Sequence, residues 1–183
     1  MQVDALNIAD VKLITPKRIG DERGYFCETY NAKAFKQAGI GCDFVQDNQS
    51  YSARKGTLRG LHYQAPPFAQ AKLVRVLSGA IVDVAVDARK ASPTYGQWVK
   101  AELSADNGAQ LFVPAGFLHG FVTLTPDTHV AYKVDNYYDR ESDGAVKWDD
   151  PALAIDWGVS ANSVTVSDKD AEAQSWEAFN TPF

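Results

Sequence analysis

The sequence predicts an all-β sandwich or barrel with a few short helices at its periphery. Three observations carry this. Between Thr57 and Lys133 short apolar runs follow one another, broken by turn signals at Pro66-Pro67, Ser78-Gly79, Ser92-Pro93, Asp106-Asn107-Gly108, Pro114-Ala115-Gly116 and Pro126-Asp127. Short strands at such spacing belong to sandwiches and barrels. No helix of useful length fits between them, which disfavours a parallel α/β sheet. Finally, Arg59, His62, Lys72 and Asp83 interrupt strand-like apolar sequence from Gly56 to Val86. Several ionisable residues among such strands point to a lined pocket.

The elements follow in order. Val11 to Ile14 alternates and reads as a short strand closed by Pro16. Asp21-Glu22-Arg23-Gly24 is turn chemistry, and the aromatic-rich run Tyr25 to Tyr30 reads as a strand. Asn31 is a good N-cap, Ala32 to Ala38 has helical composition, and Gly39 is a good stop. Phe44-Val45-Gln46 begins another strand and leads into the polar run Asp47 to Ser50. After the central strands, Trp148-Asp149-Asp150-Pro151 and Ile155-Asp156-Trp157 are loop-like. Asp168 to Phe179 reads as a terminal helix capped by Ser167. With no repeat, linker or low-complexity segment, residues 1–183 read as a single domain. Its β core spans about 44–135 and its C-terminal short helices about 150–183.

Bulk properties narrow the class. A chain of 183 residues can bury a sizeable core, and 45% hydrophobic with 22% charged residues is a globular composition. A net charge of -5 argues against broad nucleic-acid binding but leaves room for a local basic pocket. The two cysteines, Cys27 and Cys42, form no CxxC or zinc spacing and read as free thiols in a reducing cytosol. Met1 to Val11 lacks the long apolar core of a signal peptide, and no run approaches a membrane span. The expectation is a soluble, cytoplasmic protein.

A β-barrel with histidines raises the metal-binding cupin. Such a site needs a His-x-His pair, but His62-Tyr63-Gln64 has glutamine at the second position. No acidic residue follows before Asp83, and the cation Lys72 lies in the interval. No metal is therefore expected. His62 is then a candidate general base or a hydrogen-bonded core histidine. Strand periodicity puts Arg59 and His62 on opposite faces unless a twist or bulge at Gly60 re-aims one. Lys72 alternates with Val74 and Val76 and should share their face, either to stabilise an enolate or as an edge lysine. Asp83 reads as a partner for Lys72 or a histidine, or as a solvent-facing residue. His119 follows a tight turn among aromatics. Tyr132 offers a phenol for protonating a carbanion, or a packed aromatic. Tyr137-Tyr138 offers a stacking platform or packing. Asp170 lies in a capping-box outline, Ser167-Asp168-Lys169-Asp170, or orients His62 as acids do in dyads.

Together these motifs resemble a known family. Arg23-Gly24-Tyr25-Phe26-Cys27-Glu28, Gln46-Asp47-Asn48, Arg59-Gly60-Leu61-His62-Tyr63-Gln64, Lys72-Leu73-Val74-Arg75-Val76, Pro114-x-Gly116-Phe117-x-His119-Gly120-Phe121, Tyr132 and Trp148-Asp149-Asp150-Pro151 stand in the order and spacing of the dTDP-4-dehydrorhamnose 3,5-epimerases. The resemblance runs from about Ile14 to Asp170. It implies a cupin-type jelly-roll and the substrate dTDP-4-dehydro-6-deoxyglucose. It also implies cofactor-free acid/base chemistry at C3 and C5 beside the C4 ketone. On it, His62 is the base, Asp170 its dyad partner, Lys72 the stabiliser of the C4 oxyanion and Tyr132 the proton donor. Arg23, Glu28, Gln46, Asp47, Asn48, Arg59, His119 and Lys169 match nucleotide- and sugar-binding positions, and Tyr138 the position that stacks on thymine. Asp143 stands where the family commonly has glutamate, with a shorter reach to the ligand. The family is typically a homodimer that exchanges N-terminal strands, which would send Arg23 and Glu28 to the neighbouring pocket. The implied pathway is dTDP-rhamnose synthesis for cell-surface polysaccharide. Rival expectations are an epimerase that inverts only C3 or only C5, a 3,4-ketoisomerase, and a catalytically silent sugar-nucleotide-binding cupin.

Overall fold

The computed structural model describes residues 1–183. Two antiparallel sheets face each other. The first has the order β1-β2-β10-β7-β12-β5, built from β1 (Gln2–Ala5), β2 (Lys12–Thr15), β10 (Gln110–Val113), β7 (Lys72–Ser78), β12 (Thr128–Val134) and β5 (Gln46–Ser52). The second has the order β13-β6-β11-β8-β9, from β13 (Asp143–Ala145), β6 (Leu58–Gln64), β11 (Phe117–Thr123), β8 (Ala80–Asp87) and β9 (Trp98–Ser104). A separate hairpin, β3 (Arg18–Asp21) with β4 (Gly24–Cys27), turns at Glu22-Arg23. The all-β expectation holds, and each turn signal of the central region falls at a junction between two strands. From β5 to β8 and again from β9 to β13, successive strands alternate between the two sheets, as in jelly-rolls.

Packing explains the apolar runs. Val74, Val76, Leu111 and Val130 of the first sheet meet Ile81, Ala85, Leu103 and Phe121 of the second in one buried cluster. The opposite face of the second sheet, with Val84, Val86, Leu118 and Val122, is covered by Leu153, Trp157 and Phe179 of the C-terminal segment. Strand β8 is thus buried on both faces, which accounts for its nearly unbroken apolar sequence. Helix α1 (Ala32–Gln37) is capped by Asn31, whose side chain accepts from the Ala34 N–H. It seats Phe35 against Ile14, Leu73 and Phe112 on the outer face of the first sheet. Burying that ring contributes about 1.5–3 kcal/mol.

Three expectations need correction. The terminal helix is one turn, α2 (Asp168–Ala171), rather than Asp168 to Phe179. The only other helical piece beyond residue 150 is the 3₁₀ turn Ala161–Ser163. Past α2 the backbone is claimed by tertiary partners: Lys147 N–H donates to the Gln174 carbonyl (2.9 Å), and Trp176 N–H to Asp150 Oδ2 (2.8 Å). Helical hydrogen bonds there would forfeit both. The strand expected over Tyr25 to Tyr30 ends at Cys27. Finally, the strand expected to begin at Phe44 begins at Gln46, so β5 is essentially the polar run. Its residues alternate between half-buried and exposed, so one face turns inward despite the low hydropathy.

Candidate active site

The inward face of β5 opens the site. Gln46, Asn48 and Ser50 share it by alternation, and all three line a cleft between the sheets. The cleft has two adjoining lobes of about 420 and 380 Å³, joined at His62, Lys72, Tyr132 and Lys169. The first also takes Arg59, His119 and Asp170; the second takes Tyr138 and Asp143.

Glycines decide how β6 presents its side chains. Gly60, with φ +128°, lies so close to β11 that a Cβ would sit 2.6 Å from the Gly120 Cα. The register between β6 and β11 shifts at this point, pairing His119 with His62 and Phe121 with Arg59. This irregularity brings Arg59 and His62 to the same cleft, against simple alternation. The His62 Nε2–H donates to Asp170 Oδ1 at 2.6 Å, which leaves Nδ1 as the free nitrogen. Asp170 is buried, and its own N–H donates to Ser167 Oγ (3.2 Å). Its backbone N–H is therefore satisfied by the Ser167 cap while its carboxylate holds the imidazole. Burial pushes that carboxyl up, but the His62 and Ser167 hydrogen bonds and the Gly60 backbone outweigh it, and it stays below its usual range. Neighbouring Asp168 is exposed.

Lys72 and Tyr132 come from the first sheet. Tyr132 pairs with Val74, so Lys72 lies diagonally across from it on the same face. Desolvation pulls the Lys72 ammonium down to about 8, against the raising charges of Asp83 and Asp143. Burial pushes the Tyr132 phenol up, with Arg59 opposing and Asp143 assisting, so it is protonated at neutral pH. The His119 Nε2–H donates to Asp83 Oδ1 at 2.6 Å. Burial lowers this imidazole, Asp83 pulls it back up, and Lys72 and His62 lower it further.

At the outer lobe Asp143 accepts from Lys169 and, at 3.4 Å, from the Tyr138 hydroxyl. Tyr138 and Tyr137 are both exposed, and only Tyr138 lines the cleft. Arg59 donates to the Tyr51 carbonyl (2.9 Å) beside the cleft. Three residues are not brought in. Asp47 sits on the outer face of β5, paired with Lys133 at 2.9 Å. Arg23 and Glu28 are exposed on and beside the β3–β4 hairpin, with Arg23 paired to Asp21. Ser50 and Gln70 line the cleft without having been singled out. The i, i+2, i+4 pattern from Gln46 could have found Ser50, whereas Gln70 sits in a loop with no such signal. Gln64, at the position of a cupin metal ligand, donates instead to the Phe68 (2.6 Å) and Tyr137 (3.1 Å) carbonyls. No group of three or more His, Cys, Asp or Glu is placed to hold a metal ion.

The family model described as dTDP-4-dehydrorhamnose 3,5-epimerase matches residues 5–178. The chain belongs to this family. A curated relative of that name from Sinorhizobium fredii is 54% identical over 175 residues, 96% of this chain and 89% of its own. The crystal structure of the Bacillus anthracis 3,5-epimerase with TDP and pyrophosphate bound is similar at a TM-score of 0.92 and 52% identity, covering 95% of this chain and 98% of that one. The Legionella pneumophila epimerase, in complex with dTDP-4-keto-L-rhamnose, is similar at 0.93 and 46%, covering 98% and 94%. These likenesses span both sheets and the C-terminal segment, so the jelly-roll of the epimerase family is the fold of this chain.

Proposed function

We propose that this protein is an isomerase that converts dTDP-4-dehydro-6-deoxy-D-glucose to dTDP-4-dehydro-L-rhamnose by inverting C3 and C5. One observation carries the mechanism: His62 and Tyr132 stand on opposite sheets and open into the same cleft. Inversion needs a base on one side of the sugar ring and a proton donor on the other. The C4 ketone acidifies both neighbouring C–H bonds. His62 Nδ1 takes the proton, Asp170 fixes the tautomer and supports the imidazolium, and the electron pair moves onto the C4 oxygen. The Lys72 ammonium stabilises that oxyanion. Tyr132 returns a proton to the opposite face, and the same set acts at the second carbon.

Arg59, His119, Gln46, Asn48, Lys169, Asp143 and Tyr138 bind the rest of the nucleotide sugar. Arg59 suits a diphosphate, and Tyr138 presents an exposed ring for thymine. Arg23 and Glu28 serve the cleft of a second subunit. Their hairpin projects with Ile19, Tyr25 and Phe26 all 59% exposed or more, a surface that a dimer partner would cover. Asp47, on the same outer face, belongs to that contact. The free thiols of Cys27 and Cys42 fit a cytoplasmic enzyme, and no helix is long and apolar enough to cross a membrane. The product would feed rhamnose into cell-surface polysaccharide.

The test is proton NMR of the substrate with the enzyme in deuterated water. Exchange at both C3 and C5 with formation of the L-rhamno product is expected, and it should survive a chelator. Exchange at one carbon alone would point to a single-site epimerase, and none at all to a binding protein. Sedimentation should give the mass of two chains.

A further inference from the structure

We propose that Asp83 is a positioning residue, a buried counter-charge that keeps Lys72 and His119 in their working states on the two sides of the cleft. This rests on the acid/base reading above.

Asp83 shares the face of Ile81 and Ala85 on β8, the face turned between the sheets, and is 0% exposed. Its Oδ1 accepts from His119, but its Oδ2 is buried without any hydrogen-bond partner. A carboxylate oxygen left bare in an apolar barrel is costly unless a positive charge compensates it. The cation available is Lys72, arriving from the opposite sheet. The charged and titratable groups that share its lobes or act on its charge include Asp83 (β8), His119 (β11), Arg59 and His62 (β6), Tyr132 (β12), Asp143 (β13), and Lys169 with Asp170 (α2). Among the three carboxylates, Asp170 is committed to His62, and Asp143 to Lys169 and Tyr138. Of the three, only Asp83 has a buried oxygen with no hydrogen-bond partner, and its charge is the foremost of those that favour the ammonium.

The chemistry follows. Burial already pulls Lys72 to about 8. Without Asp83 it falls further, and a neutral amine cannot stabilise an oxyanion. The same carboxylate takes the His119 Nε2–H, which fixes the tautomer and leaves Nδ1 as an acceptor.

The experiment compares the parent with Asp83→Asn, which keeps shape and can still accept from His119. The pH profile of kcat/KM for C5 exchange is measured in both. The parent's alkaline limb is expected near 8, and in the variant it moves down by about one unit, a loss of about ten-fold on that limb that is recovered at lower pH. A limb that does not move overturns the proposal, because a merely structural defect would lower the rate at every pH. Competitive acetylation of Lys72 reads its titration independently of turnover. In the parent a value near 8 is expected; a value of about 5–6, that of a buried lysine without a counter-charge, overturns the proposal even if the variant does not fold. A parent that exchanges neither proton defeats the epimerase reading alone, since acetylation still decides the role of Asp83.

Discussion

His62 and His119 face each other directly across β6 and β11, and each donates its Nε2–H to its own buried aspartate at 2.6 Å. The two rings share one cleft but differ in exposure. The His62 side chain is 31% exposed and that of His119 only 8%. The more open imidazole is the one placed to meet a substrate C–H bond.

His62→Asn should therefore remove C3 and C5 exchange by about 10²–10⁴-fold, the range of a lost general base. Asp170→Asn should lower kcat as well, while the Ser167 cap, made through the backbone N–H, survives. Deuterium wash-in followed by NMR, with Tm measured alongside, separates the two effects. Parent-level exchange in His62→Asn would remove the base from the mechanism.

Tyr132→Phe keeps the ring and loses only the proton donor. Product formation should fall by about 10²-fold or more, while deuterium still enters on the His62 side without inversion. Chiral analysis of recovered substrate and product makes the distinction. Unchanged turnover would mean that the proton comes from elsewhere.

Gly60→Ala should damage the protein from within. The added Cβ would lie 2.6 Å from the Gly120 Cα and 2.8 Å from the His119 carbonyl, at a φ of +128° that side chains rarely adopt. Overpacking of this kind costs about 1–3 kcal/mol, and β6 would be pushed away from β11. A lower Tm with a larger proportional loss of kcat is expected. A variant with the parent's Tm would contradict the contact.

Asp87 makes an acid-sensitive strut away from the cleft. Its fully buried carboxylate accepts from Arg89, Ser92 and Thr94. Burial raises this carboxyl, but those bonds outweigh it and hold it well below the usual range. A depressed carboxylate stabilises the fold fully above the unfolded value, about 4, and loses that stabilisation as pH falls toward the folded value. Breaking a buried pair costs about 3–5 kcal/mol. Asp87→Asn should lower stability in denaturant melts at pH 7, and the deficit should shrink on acidification below about pH 4. A deficit independent of pH would show that the charge is not what matters.

The sequence determined the sheet-rich fold and the helix at Asn31, because each rests on local chemistry. Turn residues break strands wherever they occur, and an Asn followed by helix formers caps a helix without help from afar. The motif spacing likewise carried His62, Lys72, His119 and Tyr132. Only the tertiary structure decided three further things. It shortened the terminal helix, because Gln174 and Trp176 bond to residues about 26 positions earlier. It settled the two readings of Asp170, whose carboxylate reaches across 108 residues to His62 while its N–H meets the Ser167 cap. It left Arg23, Glu28 and Asp47 outside the cleft of their own chain. Such pairings depend on how sheets stack and where glycines let them touch, and no periodicity within a single strand records that.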